Sequence, residues 1–102
     1  MSAIRRSAKG MDCMIRIPYV CNHDSATVVW CHANGTAAGK GIGQKSNDAL
    51  GAYGCFACHN LVDGRTPLPK GYSREDIDLM FHEGHQRSLQ ILIAKNLVRV
   101  AA

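Results

Sequence analysis

Four cysteines in two pairs show the clearest metal-binding pattern in this sequence: Cys13 with Cys21, and Cys55 with Cys58. Two residues separate Cys55 from Cys58, which is the spacing of a zinc knuckle and lets both thiolates reach one tetrahedral ion. The first pair encloses seven residues, a span that a loop can close. We therefore expect all four to bind one structural Zn²⁺ ion, and the alternative is reduced cysteines that simply pack in the core.

The second cysteine pair also matches a haem motif. The segment Cys55-Phe56-Ala57-Cys58-His59 has the C-x-x-C-H pattern of covalent attachment, with Met80 as a candidate axial ligand. Such attachment normally follows export, and the N-terminal residues show no apolar segment of a secretory signal. Haem would also leave three cysteines without a role. We expect no haem, and we expect a reducing, cytoplasmic compartment in which clustered cysteines bind metal.

A third group contains two histidines with two polar residues between them: His32, Asn47, Asp48 and His59. A hairpin followed by a helix, with His32 on its first strand and His59 on the helix, is the ββα-metal arrangement of HNH nucleases. A neutral imidazole with a pKa of roughly 6.5 can accept a proton from water, so His32 is the candidate general base. Asn47 or Asp48 would orient it, and His59 would hold Mg²⁺ or Mn²⁺ near the phosphate. The alternative is a half-buried strand histidine and a histidine that merely follows a zinc knuckle.

Length and charge narrow the class of protein. A chain of 102 residues supports one small core, which excludes kinases, barrels and doubly wound sheets. The net charge is +4, and the whole surplus lies in residues 1–45. This distribution fits a half of the chain that faces a polyanion such as DNA, or a basic segment that only confers solubility. No run approaches the roughly 20 apolar residues of a membrane span, so we expect no membrane contact.

The remaining pattern predicts few elements. Residues 1–10 are expected to form a flexible basic tail, and residues 11–102 a single HNH-like zinc-binding domain. Strands are predicted over 26–32 and 49–54, followed by a short helix that Gly64 stops. A long helix is predicted from about Ser73, its N-cap, to Lys95, with His85 inside its apolar stripe and His82 beside it. The stripe consists of Ile77, Met80, Phe81, Gly84, Ser88, Ile91 and Leu92.

The order of these residues is similar to that of the YbcO-like prophage proteins. The matching positions are Lys9-Gly10, Cys13, Arg16-Ile17-Pro18, Cys21-Asn22, His32, Asp48, Ala57-Cys58-His59, Asp63 and Arg65. That family comprises small phage-encoded nucleases of the HNH class, related to a RecA-dependent phage endonuclease. The resemblance covers residues 8–66 and includes Glu83-Gly84 and Arg87-Ser88. It implies zinc on the paired cysteines and an HNH-type centre around His32 and His59.

One residue departs from the broader HNH pattern, in which an acidic or histidine ligand often precedes the base. Here that residue is Cys31, a poor ligand for Mg²⁺. We predict an α+β fold: a small zinc-stapled HNH-like ββα-metal domain with a long C-terminal helix. The predicted function is a divalent-metal-dependent DNA endonuclease, encoded by a phage or prophage of a bacterial host, with DNA and a recombinase filament as partners. The alternative is a non-catalytic zinc-ribbon module that binds nucleic acid or a phage replication or recombination protein.

Overall fold

The computed structural model describes residues 3–33 and 49–98. Within these ranges the chain forms a two-stranded sheet and three α-helices, the last of them long, so the predicted α+β class is confirmed. No helix in the two ranges is long and apolar enough to cross a membrane. In chain order the elements are α1 (Ala3–Ser7), a 3₁₀ turn (Ser25–Thr27), β1 (Val29–His32), β2 (Gly51–Gly54), α2 (Phe56–Val62) and α3 (Arg74–Ala94).

The two strands form an antiparallel pair that is covered on both faces. Trp30 lies opposite Tyr53, and their rings meet edge to face with centroids 5.1 Å apart. On the other face Cys31 is fully buried, and a Cβ atom added at Gly54 would lie 2.7 Å from its Sγ. Burial of Trp30 on one face and of Cys31 on the other explains why the middle of β1 is apolar at consecutive positions rather than at alternate ones.

Both predicted strands are present, but each is shorter than predicted. Residues 25–27, at the predicted start of β1, form a 3₁₀ turn instead. Asp24 caps this turn, because its Oδ1 accepts a hydrogen bond of 3.0 Å from the Ala26 N–H. The Asp24 side chain thus binds a backbone N–H locally, which favours the turn over an extended strand at these residues.

Side chains and backbone from other elements cover the free edge of β2. The Tyr53 N–H donates to Ser88 Oγ on α3 at 3.0 Å, and the Met14 N–H donates to the Tyr53 carbonyl at 2.8 Å. The Gly51 carbonyl lies 2.7 Å from His85 Nδ1, which must donate because a carbonyl only accepts. An edge that would otherwise be open to another strand is therefore satisfied within the chain.

The long helix α3 begins and packs as predicted. Ser73 Oγ accepts from the Asp76 N–H at 3.1 Å and Asp76 Oδ2 accepts from the Ser73 N–H at 2.8 Å, which forms a capping box. The predicted stripe faces the core. Its fully buried members are Ile77, Gly84, Ser88 and Leu92.

Residues 3–8 differ from the predicted flexible tail. They form α1 and its C-terminal end, with Ile4 9% and Ala8 2% exposed. Ser7 Oγ also lies 2.7 Å from the Tyr53 hydroxyl, which links this segment to β2. The basic composition obscured two apolar residues spaced four apart, which share one helix face.

Close packing of α3 predicts that Gly84 tolerates no side chain. A Cβ atom there would lie 2.8 Å from the Ile15 Cα, a backbone atom that cannot rotate away. We expect Gly84→Val to lower the free energy of unfolding by about 1–3 kcal/mol, as overpacking does. Urea unfolding followed by Trp30 fluorescence measures this. Glu83→Val, at the exposed preceding position, is the control. Equal unfolding midpoints for the two variants would contradict the packing.

Candidate functional site

The four predicted metal ligands converge. The Sγ atoms of Cys13, Cys21, Cys55 and Cys58 all lie within 4.8 Å of one another, and all four cysteines are free thiols. The Cys21 and Cys55 sulfurs are 3.9 Å apart. Two ligands of a tetrahedral zinc with bonds of about 2.3 Å would be ~3.8 Å apart. The donor set therefore fits a soft tetrahedral ion such as zinc.

Backbone N–H groups hold two of these sulfurs in position. The Arg16 N–H donates to Cys13 Sγ at 3.5 Å, and the Cys58 N–H donates to Cys55 Sγ at 3.4 Å. Arg16 adopts a left-handed conformation (φ 55°), which turns the chain back after Cys13. Cys55 is the N-cap of α2, so the start of that helix fixes the position of its sulfur.

The close approach of the sulfurs shifts their pKa values in opposite directions. A hydrogen bond from Cys58 is the main cause that lowers the pKa of Cys13 to about 4, and the same hydrogen bond, together with burial, raises the pKa of Cys58. Burial also raises the pKa of Cys21 to about 11. A divalent cation would relieve this conflict, because it stabilises several thiolates at once.

The fifth cysteine, Cys31, has a different environment. It is fully buried, and among the described residues the close sulfur group does not include it. Burial is the main cause that raises the pKa of its thiol, and the charge of Asp63 raises it further. Cys31 is thus a protonated packing residue.

His59 lies on α2 beside an acidic residue that the sequence analysis did not assign to the site. Its Nε2 is 3.0 Å from Oδ2 of Asp63, one helical turn later, and Arg65 Nη2 is 3.0 Å from the same oxygen. The Asp63 side chain is only 14% exposed. The spacing of four residues on a predicted helix was the available signal, since it places both side chains on one face.

His32 lies at the end of β1, half-buried and opposite Gly51. A Cβ atom at position 51 would lie 2.5 Å from the Cys31 carbonyl, so the pairing beside His32 requires glycine. His85 is half-buried and binds the Gly51 carbonyl, while His82 is exposed, with its ring centroid 6.4 Å from that of His85.

Two of the predicted site residues, Asn47 and Asp48, lie outside the described residues. The other two belong to elements that pack together, because α2 contacts both strands. The charge of Asp63 influences Cys31, the residue directly before His32. A candidate base at the end of β1 and an imidazole–carboxylate pair on α2 are therefore the chemically useful groups of this region.

Comparisons with known proteins agree with a phage origin. The family model described as "Putative nuclease YbcO" matches residues 2–96. Relatives of that name from Escherichia coli strain K12 and Enterobacteria phage 82 are each 38% identical over 76 residues, covering 74% of this chain and 78% of the relative. The solved structure described as a "putative bacteriophage protein" from Escherichia coli K-12 MG1655 has a TM-score of 0.73 at 28% identity. It covers 92% of this chain and 100% of its own.

The sulfur geometry predicts which cysteine a bound metal requires. Cys58→Ser should lose the metal and most of the folded structure, because it removes a soft ligand from the group. Cys31→Ser, an equally buried control outside the group, should keep one metal per chain. Elemental analysis and circular dichroism measure both. Folded wild-type protein without metal, or equal metal loss in the two variants, would contradict this assignment.

Proposed function

Because this chain belongs to the YbcO family of putative nucleases, we propose that it is a divalent-metal-dependent DNA endonuclease of HNH type, encoded by a phage or prophage. The main observation behind the proposal is the His59–Asp63 pair on α2, the helix that directly follows β2. His32 is the last residue of β1 and lies opposite Gly51, the first residue of β2. The hairpin and α2 would be the ββα unit, with Zn²⁺ on the four cysteines as its structural ion.

His32 is the proposed general base. An imidazole at the half-buried end of a strand can accept a proton from water at neutral pH. As that proton leaves, the water oxygen forms a bond to phosphorus and the bond from phosphorus to the leaving sugar oxygen breaks. The leaving oxygen takes up a proton from solvent. Asn47 or Asp48 would orient His32, as predicted from the sequence.

His59 and Asp63 are the residues that would hold the catalytic ion. An imidazole nitrogen and a carboxylate oxygen 3.0 Å apart suit Mn²⁺ or Mg²⁺ far better than the buried thiol of Cys31. When bound, such an ion would neutralise negative charge on the phosphate and the leaving oxygen. Asp63 thus supplies from α2 the carboxylate that β1 lacks, and Arg65 holds that carboxylate in place.

The substrate in this proposal is DNA, and a recombinase filament is the proposed partner that would present it. A nicking assay on supercoiled plasmid in Mn²⁺, with and without a recombinase filament, tests both parts. If pure protein cuts no DNA form under either condition, the non-catalytic zinc-ribbon module becomes the better interpretation.

His32→Ala should keep the cysteine-bound metal and the fold while losing cleavage. Removing a positioned base costs about 10²–10⁴-fold in rate, because water must then lose its proton to solvent. DNA binding should persist. His82→Ala, an exposed histidine on α3, is the matched control and should cut like the wild type. Cleavage by the His32→Ala protein at the wild-type rate would contradict the assignment.

Asp63→Asn should raise the Mn²⁺ concentration required for half-maximal cleavage by at least about tenfold, because an amide is a weaker ligand than a carboxylate. The measurement is cleavage rate against Mn²⁺ concentration, with thermal unfolding to confirm the fold. Asp78→Asn changes an exposed carboxylate on α3 in the same way and should not shift the curve. Identical curves for the two variants would remove Asp63 from the metal site.

A further inference from the structure

A groove of about 660 Å³ lies between α1 and the start of β1. Its lining combines two chemical classes, since exposed cationic side chains come from the N-terminal segment and apolar side chains come from the strand region. The cationic residues are Arg5, Arg6 and Lys9, and the apolar ones include Val28, Val29 and Trp30.

The cationic side of the groove favours a polyanion. Three positive side chains lie within five residues of the chain, and no carboxylate is among the described lining residues. Positive charges in such proximity repel one another and raise the local concentration of anions. Phosphate groups are anions that arginine and lysine bind well.

The apolar side favours a base in addition to phosphates. Contacts to phosphate alone require no apolar surface, yet Val29 is 43% exposed toward solvent beside the buried Trp30. A nucleobase has an apolar face that aromatic and aliphatic side chains bind, but base pairing and stacking in a duplex hide that face. The combination therefore suits an unpaired nucleotide.

We propose that this groove binds an unpaired nucleotide of the DNA substrate, with its base on the apolar floor around the exposed Val29 and its phosphates on the cationic side. The proposal rests on the proposed function and adds the substrate class. Trp30 lines the groove, and Trp30 and His32 lie on the same face of β1, two residues or about 7 Å apart. The groove would thus hold a nucleotide close to the phosphate that the water activated by His32 attacks, and the substrate is DNA with unpaired residues beside the cleavage position.

Fluorescence of Trp30 tests occupancy directly, because it is the only tryptophan of the chain. Full-length wild-type protein is titrated with a short oligothymidylate, with no added Mg²⁺ or Mn²⁺ so that cleavage does not intervene. The comparison ligands are an abasic strand of the same length and charge, and a duplex of the same length. We expect a saturable change in Trp30 fluorescence and about tenfold tighter binding of oligothymidylate than of either comparison ligand.

A negative charge introduced on the apolar floor of the groove tests the base site, and the same charge elsewhere on the surface is its control. Val29→Glu should weaken oligothymidylate binding about tenfold and remove the preference over the abasic strand, since it repels phosphate and covers the apolar surface. Leu79→Glu adds the same charge at an exposed position of α3 and should leave both unchanged. Circular dichroism checks that both variants fold.

Three results would overturn the proposal: equal affinity for oligothymidylate and the abasic strand, equal affinity for the duplex, or equal affinity for oligoglutamate. The first two would identify a phosphate-binding surface without a base site, and the third an acidic-peptide site. These outcomes can be distinguished from failure of the proposed function. In that case the wild-type protein would cut no DNA, while the fluorescence titration would still show base-dependent binding.

Discussion

Convergence of four thiols is the constraint on which the rest of this small fold depends. It joins Cys21 to Cys55 across 34 positions of the chain and places the segment that contains Met14 and Ile15 against β2 and α3. Structural zinc contributes roughly 10 kcal/mol or more in small zinc-finger peptides, a magnitude comparable to the stability of a whole domain. A sheet of two four-residue strands cannot supply that stability alone, so an ion on these sulfurs would stabilise most of the tertiary structure.

The same constraint determines where the proposed catalytic groups can lie. Cys55 caps the first turn of α2, His59 follows one turn after it, and Asp63 follows at the end of the helix. The orientation of the cysteine group therefore sets the direction of the His59–Asp63 pair. Cys31 cannot bind a catalytic ion because its side chain is fully buried against Gly54. The packing there is so close that a Cβ atom at position 54 would clash with the Cys31 sulfur. In the proposed site the carboxylate ligand would consequently come from the helix rather than from the strand.

The sequence predicted those elements that depend on residues close together in the chain. The capping box at Ser73 and the apolar stripe located α3, and the spacing of Cys55 and Cys58 located both the sulfur group and the start of α2. Helix α1 was missed because Ile4 and Ala8 gain their burial from distant parts of the chain, including the strands. Asp63 was named only as a position of the family resemblance, and its role was not predicted, because that role depends on which side of a short helix faces the hairpin. Closure of the β2 edge by Ser88 and His85 is likewise a tertiary property that no short window of sequence contains.

In the proposed active site, His59 and Asp63 at the end of α2 would hold a divalent ion beside His32. The most direct measurement is the paramagnetic broadening of the histidine ring signals in an NMR titration of the full-length protein with Mn²⁺. We expect the His59 and His32 signals to broaden first and most steeply as Mn²⁺ is added, and the signals of His23 and His82 to broaden later and less. Broadening that begins at His23 or His82, or that leaves His59 and His32 unaffected, would contradict the proposed site.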